Sequence, residues 1–227
     1  MIVMQAPQFP TQDESGHGDG IAPTPLWQAV RCHPSTSSPY TFDLDSDIND
    51  ILCRLRMLFH NHEQFPMCTT EFHDLICFVL HRLLEPNSAS KLHENPAAQS
   101  TSECVRIATA LYLLIVHGPT YFSHAGLQYK LTTQLKTYTG NYMKLFVHGN
   151  SNGSLGLWIL SIGMVATSGM TDYQWFTNQV ADMAFMLGAQ TWEDALSHLE
   201  LVLWIPKQQI EDIFRHHWQI MRTDAVG

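Results

Sequence analysis

Basic residues are scarce in this chain of 227 residues, which has 12 Lys and Arg against 21 Asp and Glu and a formal net charge of −9 at pH 7. No run of basic residues occurs anywhere in it. Because proteins neutralise the phosphates of DNA with clustered Lys and Arg, this distribution argues against direct binding to nucleic acid.

Long apolar segments are also missing. The longest nearly apolar run, residues 155–166, is far shorter than the roughly 20 residues that a transmembrane helix requires. The N-terminal sequence MIVMQAPQFP has neither the basic stretch nor the long apolar core of a secretory signal. We therefore expect a soluble, intracellular protein without a membrane partner.

The sequence contains no catalytic motif that we could identify. It has no Gly-x-Ser-x-Gly elbow, and Ser154 in GSLG only approaches that pattern. It has no phosphate-binding loop with its lysine and no His-Glu-x-x-His pair. We predict that the protein is not an enzyme and uses no cofactor.

The five cysteines form no Cys-x-x-Cys pair, and four of them fall in or beside helix-like segments. This pattern favours reduced, mostly buried thiols.

Apolar residues recur at helical spacing in eight segments, and no convincing strand pattern separates them. The segments lie near residues 45–59, 70–84, 100–117, 127–145, 155–166, 173–187, 192–203 and 210–221. Residues 1–40 hold six of the 11 prolines and show no apolar period, which indicates a disordered leader. We predict an all-α fold, a single globular bundle of about eight helices over residues 41–227.

Local signals predict where several helices begin. Ser100 with Glu103, and Thr171 with Gln174, have the spacing of capping boxes. Thr191 is expected to cap the helix that follows it. The sequence HGNSNGSLG, rich in Gly, Ser and Asn, is predicted to be a turn.

Residues 155–204 contain four of the six tryptophans and are predicted to form the centre of the fold. The first segment is apolar on nearly every side, which is typical of a helix buried among other helices. The third segment is predicted to continue as a helix until Pro206. Trp175 in the second segment is expected to lie in the core.

Two arrangements in this fold suggest ligand sites. His73, Cys77 and His81 follow one another at intervals of four, downstream of His60 and His62. Imidazole and thiolate at such spacing can bind zinc, but this stripe lies at the edge of the apolar arc, where both residue types are ordinary. We predict no metal ligand and keep the stripe as an alternative.

The second arrangement is a candidate effector pocket in the tryptophan-rich region. Core packing explains the same side chains, since aromatic stripes at helical spacing usually pack against neighbouring helices. The pocket would be lined by Trp158, Met164, Trp175 and Phe176.

Three stretches, together with Trp218, resemble the helices of one family. The stretches are SECVRIATALYL, LWILSIGMVAT and LGAQTWEDALSHLELVLW. That family is the fungal-specific transcription factor domain, the helical regulatory region that normally follows a Zn₂Cys₆ DNA-binding cluster. The resemblance covers roughly residues 45–222 and rests on aromatic and aliphatic positions. A Zn₂Cys₆ cluster needs six cysteines in Cys-x-x-Cys halves and a basic stretch, which this chain lacks.

The resemblance implies a nuclear, helical regulatory domain without its own DNA-binding module. Such a domain would act through protein partners, for example another transcription regulator, with a small-molecule effector as a further expectation. It would be either a co-regulator or a truncated Zn₂Cys₆ regulator. The alternative is a small-molecule- or metal-binding helical protein that uses the tryptophan-lined core or the His73, Cys77 and His81 stripe. A third hypothesis is a fragment without a function.

Overall fold

Helices form nearly all of the chain that the computed structural model describes, which is residues 23–30, 42–60, 66–85, 96–118, 124–147 and 150–224. These ranges contain nine α-helices and no strand, and the helices share one apolar core. The prediction of an all-α bundle is confirmed. In chain order the helices are α1 Pro25–Ala29, α2 Ser46–His60, α3 Thr69–Leu84, α4 Pro96–His117, α5 Ala125–Val147, α6 Asn150–Ala166, α7 Tyr173–Leu187, α8 Trp192–Glu200 and α9 Gln208–Asp224.

Helix α1 lies in the segment predicted to be a disordered leader. The hydroxyl of Thr24 accepts the N–H of Trp27 at 3.2 Å and caps the helix. Trp27 is fully buried and packs edge-on against Phe78 of α3, with ring centroids 5.6 Å apart. Arg54 donates to its carbonyl at 3.0 Å. The leader prediction is therefore wrong for residues 23–30, and the rest of that leader lies outside the described residues.

Helix α4 begins earlier than its capping pattern predicts. Helix α4 starts at Pro96, so Ser100 lies inside it and is buried. Glu103 does not reach back to Ser100 but forms an ion pair with Arg106, 2.7 Å away on the next turn. The capping box predicted at Ser100 is wrong because the helix already has a first turn upstream.

Of the other two predicted helix starts, one is wrong and one is confirmed. Helix α7 begins after Asp172, which makes no side-chain cap, so the capping box at Thr171 is wrong. The carboxylate of Asp172 binds the ammonium of Lys136 at 2.7 Å instead. Thr191 does cap α8, since its hydroxyl accepts the N–H of Asp194 at 3.1 Å and the carboxylate of Asp194 accepts the N–H of Thr191.

The central segment is a buried helix, as predicted. Helix α6 packs against α4, α5, α7, α8 and α9. It begins at Asn150, so most of the predicted HGNSNGSLG turn belongs to it. Despite its apolar sequence, α6 falls short of a membrane span, and no other helix in the described ranges is long and apolar enough to be one.

Close packing of α6 on α7 requires a residue without a side chain at Gly163. A Cβ atom built there would lie 2.3 Å from the ring of Phe176, which is fully buried. The absence of that atom lets the two helices approach.

The segment after α8 is buried although it is not helical. Helix α8 ends at Glu200, so its predicted continuation to Pro206 is wrong. Residues 201–207, which we call the connector, join it to α9. The four side chains at the middle of the connector are all buried: Val202, Leu203, Trp204 and Ile205.

Polar side chains from three other helices bind the connector backbone. The bonds run from the Arg56 guanidinium to the Val202 carbonyl, from the Trp158 indole N–H to the Leu203 carbonyl at 2.7 Å, and from the Ile205 N–H to the Tyr112 hydroxyl at 2.9 Å. These bonds satisfy backbone groups that have no helical partner in the core.

The cysteines differ from the prediction of reduced, mostly buried thiols. Cys53 is disulfide-bonded, and Cys68 is exposed. Cys104 is a buried free thiol, whose pKa is raised to about 12 by burial and by the charge of Glu103. The prediction is therefore wrong at Cys53 and, for exposure, at Cys68.

Replacing Gly163 with Ala is expected to lower the free energy of unfolding by about 1–3 kcal/mol, because the ring of Phe176 must move in a packed core. Replacing Gly140 with Ala is the control. A Cβ there meets only the edge of Trp175 at 3.9 Å, so the change should stabilise the helix by about 0.5–1 kcal/mol. Urea denaturation measures both. Equal effects would contradict the close approach of α6 and α7.

Candidate functional site

A chain of three side chains links α3 to the end of α4. Residues 73 and 77 are four apart on α3, so their side chains lie on one face of that helix. The Nδ1 atom of His73 is 2.7 Å from Nε2 of His117, so the N–H of one imidazole donates to the other. The other nitrogen of His73, Nε2, lies 3.6 Å from Sγ of Cys77. We call these three residues the His–Cys cluster.

The electrostatics of the His–Cys cluster favour the neutral forms of His117 and Cys77. Partial burial lowers the pKa of His117, and the nearby His73 and His124 lower it further. Partial burial also raises the pKa of the Cys77 thiol, as does the charge of Asp74. Because a nucleophilic cysteine requires a stabilised thiolate, the raised pKa of Cys77 disfavours that role for it.

Two members of the predicted histidine stripe belong to this cluster, whereas the third does not. His81 is half-buried, and its Nδ1 atom has no hydrogen-bond partner. Within the described ranges, no three His, Cys, Asp or Glu side chains are placed to hold a metal ion. His60 is exposed, and His62 lies outside the described residues.

The contact of His117 with His73 could not be predicted from the sequence. His117 is 44 residues from His73 and stands at the end of another helix, so no local spacing connects the two. The only signal in the sequence is a polar residue at the C-terminus of an apolar helix, where the dipole also favours histidine.

The four residues of the candidate effector pocket are mostly core residues. Trp158, Met164 and Phe176 have almost no solvent exposure. Trp175 is only partly buried, contrary to the prediction, and lies edge-on to Phe176 with the ammonium of Lys136 5.6 Å from its ring centroid. None of the four lines either of the two cavities described below. Three of the four side chains are therefore packed in the core.

Ser154, the near miss to a nucleophile motif, does contact a histidine. Its hydroxyl is 2.8 Å from Nδ1 of His198. However, Ser154 is buried, and the nearby carboxylate of Asp194 is occupied by the N–H groups of Gln190 and Thr191. The pair therefore links α6 to α8 rather than presenting a reactive hydroxyl.

Two cavities lie among the described residues. One, of about 380 Å³, lies between the C-terminal end of α2, the start of α3 and the end of the connector. The other, of about 530 Å³, lies between the start of α8 and α9 and contains Trp192, Trp218 and Arg215. Two residues of this second cavity, Arg215 and Trp192, are both bound by the carboxylate of Glu211.

The C-terminal end of α7 exposes large apolar side chains. One face of this helix is buried, through Phe176, Val180, Met183 and Ala184. Phe185 is nevertheless 88% exposed and Met186 is 48% exposed, one turn before Gly188 ends the helix. We call these two residues the α7 patch. Contiguous exposed apolar groups of this kind commonly mark protein interaction sites.

Comparison of the chain with protein-family models, with curated proteins and with solved structures finds no match.

The free energy of unfolding is expected to fall as the pH drops below about 6.5, the ordinary value for histidine. Because the folded state lowers the pKa of His117, the unfolded chain binds the proton first and is stabilised by it. Burial likewise lowers the pKa of His198 and His217, so they add to the same slope.

The variant His117→Gln should reduce this slope between about pH 5 and 7. His60→Gln, at an exposed position, is the control and should leave the slope as it is. Chemical denaturation across the pH series gives the slopes. A His117→Gln slope equal to that of the unmodified chain would contradict the assignment.

Proposed function

We propose that the protein is a helical regulatory domain that acts on transcription through protein contacts and has no DNA-binding module of its own. The proposal follows the resemblance to the fungal-specific transcription factor domain and places the protein in the nucleus. The net charge of −9 supports contacts with proteins rather than with nucleic acid.

The observation that carries the proposal is the α7 patch. Phe185 stands almost wholly in solvent, although the same helix buries its opposite face in the core. Burying an aromatic side chain of roughly 150–250 Å² on a partner would contribute several kcal/mol at about 25 cal/mol/Å². Phe and Met are also enriched at protein interfaces. A partner surface is therefore the best explanation for these two positions.

A reporter assay tests this proposal. The chain is fused to an unrelated DNA-binding module, and transcription from a promoter carrying that module's site is measured. We expect the fusion to change transcription and the double variant Phe185→Ser with Met186→Ser to abolish the change. Circular dichroism and thermal unfolding should show that the variant remains folded, since both side chains are exposed.

The matched control alters exposed polar residues on the same helix, Gln174→Ser with Asn178→Ser. In the described part of the chain these two side chains bond to each other, at 3.0 Å, and they should be dispensable for transcription. An inactive fusion, or a patch variant as active as the control, would count against the proposal.

A second candidate function is binding of a thiophilic divalent metal ion at His73 and Cys77. It is favoured by one distance, the 3.6 Å between His73 Nε2 and Cys77 Sγ. Zinc bonds of about 2.0 Å to nitrogen and 2.3 Å to sulfur at a tetrahedral angle would place the two atoms about 3.5 Å apart. His117 would hold the ring of His73 in position, as outer hydrogen-bond partners of metal ligands do.

The zinc content of the chain, measured after equilibration with zinc and gel filtration, distinguishes metal binding from action through protein contacts alone. The domain acting only through protein contacts should retain substoichiometric zinc, and the double variant His73→Ala with Cys77→Ala should retain the same amount. One zinc per chain, lost in that variant but kept in Cys68→Ala, would favour the metal-binding function. Cys68 is the appropriate control because it is a free, exposed thiol outside the cluster.

A further inference from the structure

The smaller cavity has mostly apolar walls and a single cation at its edge. It lies where three segments meet: the last turn of α2, the first turn of α3 with the residues before it, and the end of the connector. Its volume is about 380 Å³, within the range of small-molecule sites. The walls are formed mainly by Leu58, Phe59, Met67, Phe72, Ile205 and Pro206.

The cation is Lys207. Its ammonium lies 3.8 Å from the centroid of the Phe72 ring, so the lysine extends over the apolar wall. No carboxylate in the described part of the chain forms an ion pair with it. Partial burial alone lowers its pKa, which agrees with the lack of a nearby acidic group. An ammonium at the edge of an apolar cavity that pairs with no carboxylate of the described residues favours an anionic ligand.

The polar residues in the wall of this cavity are compatible with an anion. Cys68 and Thr69 lie there, at the start of α3, where backbone N–H groups lack helical partners. The closest carboxylate of this turn, Glu71, accepts the backbone N–H of Cys68 at 2.9 Å. Because the Glu71 carboxylate bonds to this backbone N–H, it does not neutralise Lys207.

We propose that this cavity binds a small aliphatic carboxylic acid as its anion, with the chain against the apolar walls and the carboxylate on the Lys207 ammonium. The volume of about 380 Å³ lies at the lower end of the range of small-molecule sites, so the expected ligand is small. The site is separate from the α7 patch and from the His–Cys cluster, so it does not depend on the proposed function.

The charge of the ligand distinguishes this site from a general apolar cleft. Isothermal titration calorimetry on the full chain compares octanoate, 1-octanol and octylammonium, which share one alkyl chain. Octanoate should bind about tenfold more tightly than 1-octanol, because a hydrogen bond between charged groups contributes roughly 1.5 kcal/mol or more. Octylammonium should bind most weakly.

The variant Lys207→Met keeps most of the length of the side chain but removes the charge. It should weaken octanoate about tenfold and leave 1-octanol unchanged. Lys130→Met, at an exposed lysine on α5, is the matched control and should leave octanoate binding unchanged. Both lysines are exposed, so neither variant should unfold the chain.

Amide chemical shifts in two-dimensional NMR locate the bound anion. Octanoate should shift the amides of Thr69, Phe72 and Lys207 more than those around Trp192 and Arg215. Three results would each overturn the proposal: no binding of octanoate at millimolar concentration, equal binding to Lys207→Met, or the largest shifts at the other cavity.

Discussion

The fold depends on the bonds that hold the connector in the core. A non-helical segment brings unpaired carbonyl and N–H groups into an apolar interior, where an unsatisfied group costs roughly 1–3 kcal/mol. Side chains of α2, α4 and α6 satisfy three of these groups. Burial raises the pKa of Tyr112 and lowers that of Arg56 to about 10, so Tyr112 stays neutral and Arg56 stays charged at neutral pH. Arg56 therefore keeps the charge with which it donates to the Val202 carbonyl.

Aromatic packing surrounds the same segment. Tyr112 contacts Trp158, Trp204 and Phe214, with ring centroids 6.0 to 6.3 Å apart. Tyr112 and Trp158 thus each have an apolar ring in the core and a polar atom bonded to a backbone group, the use to which buried Tyr and Trp are suited. Because the connector is fixed, its last residues also fix the position of Lys207 over Phe72 and one wall of the adjacent cavity.

The sequence could predict the elements with strong local signals. The apolar circumference of α6, the Thr191 cap and the helix-ending Gly188 depend on neighbouring residues only, and all are present. It could not predict that Leu203 leaves the helix, because the group that binds its carbonyl, Trp158, is 45 residues away. Trp27 was missed for a similar reason: five helical residues are too few for a period, and Trp27 contacts Phe78, Arg54 and Arg82, which lie on other helices.

The same limit applies to the candidate sites. His73 and Cys77 could be paired from their spacing, whereas His117 and Lys207 enter their clusters through tertiary contacts. Phe185 is exposed although the residue before it on the same turn, Ala184, is buried. The tryptophans thus identify the scaffold, and the groups available to ligands or partners lie at its edges.

Native-state amide hydrogen exchange at Ile205 tests most directly whether the buried connector organises this fold. Its N–H is bonded to the Tyr112 hydroxyl and should exchange only on global unfolding, as the amides of α6 do, and Tyr112→Phe should accelerate exchange at this position selectively. Exchange at Ile205 in the unmodified chain as fast as in an exposed loop would contradict the account.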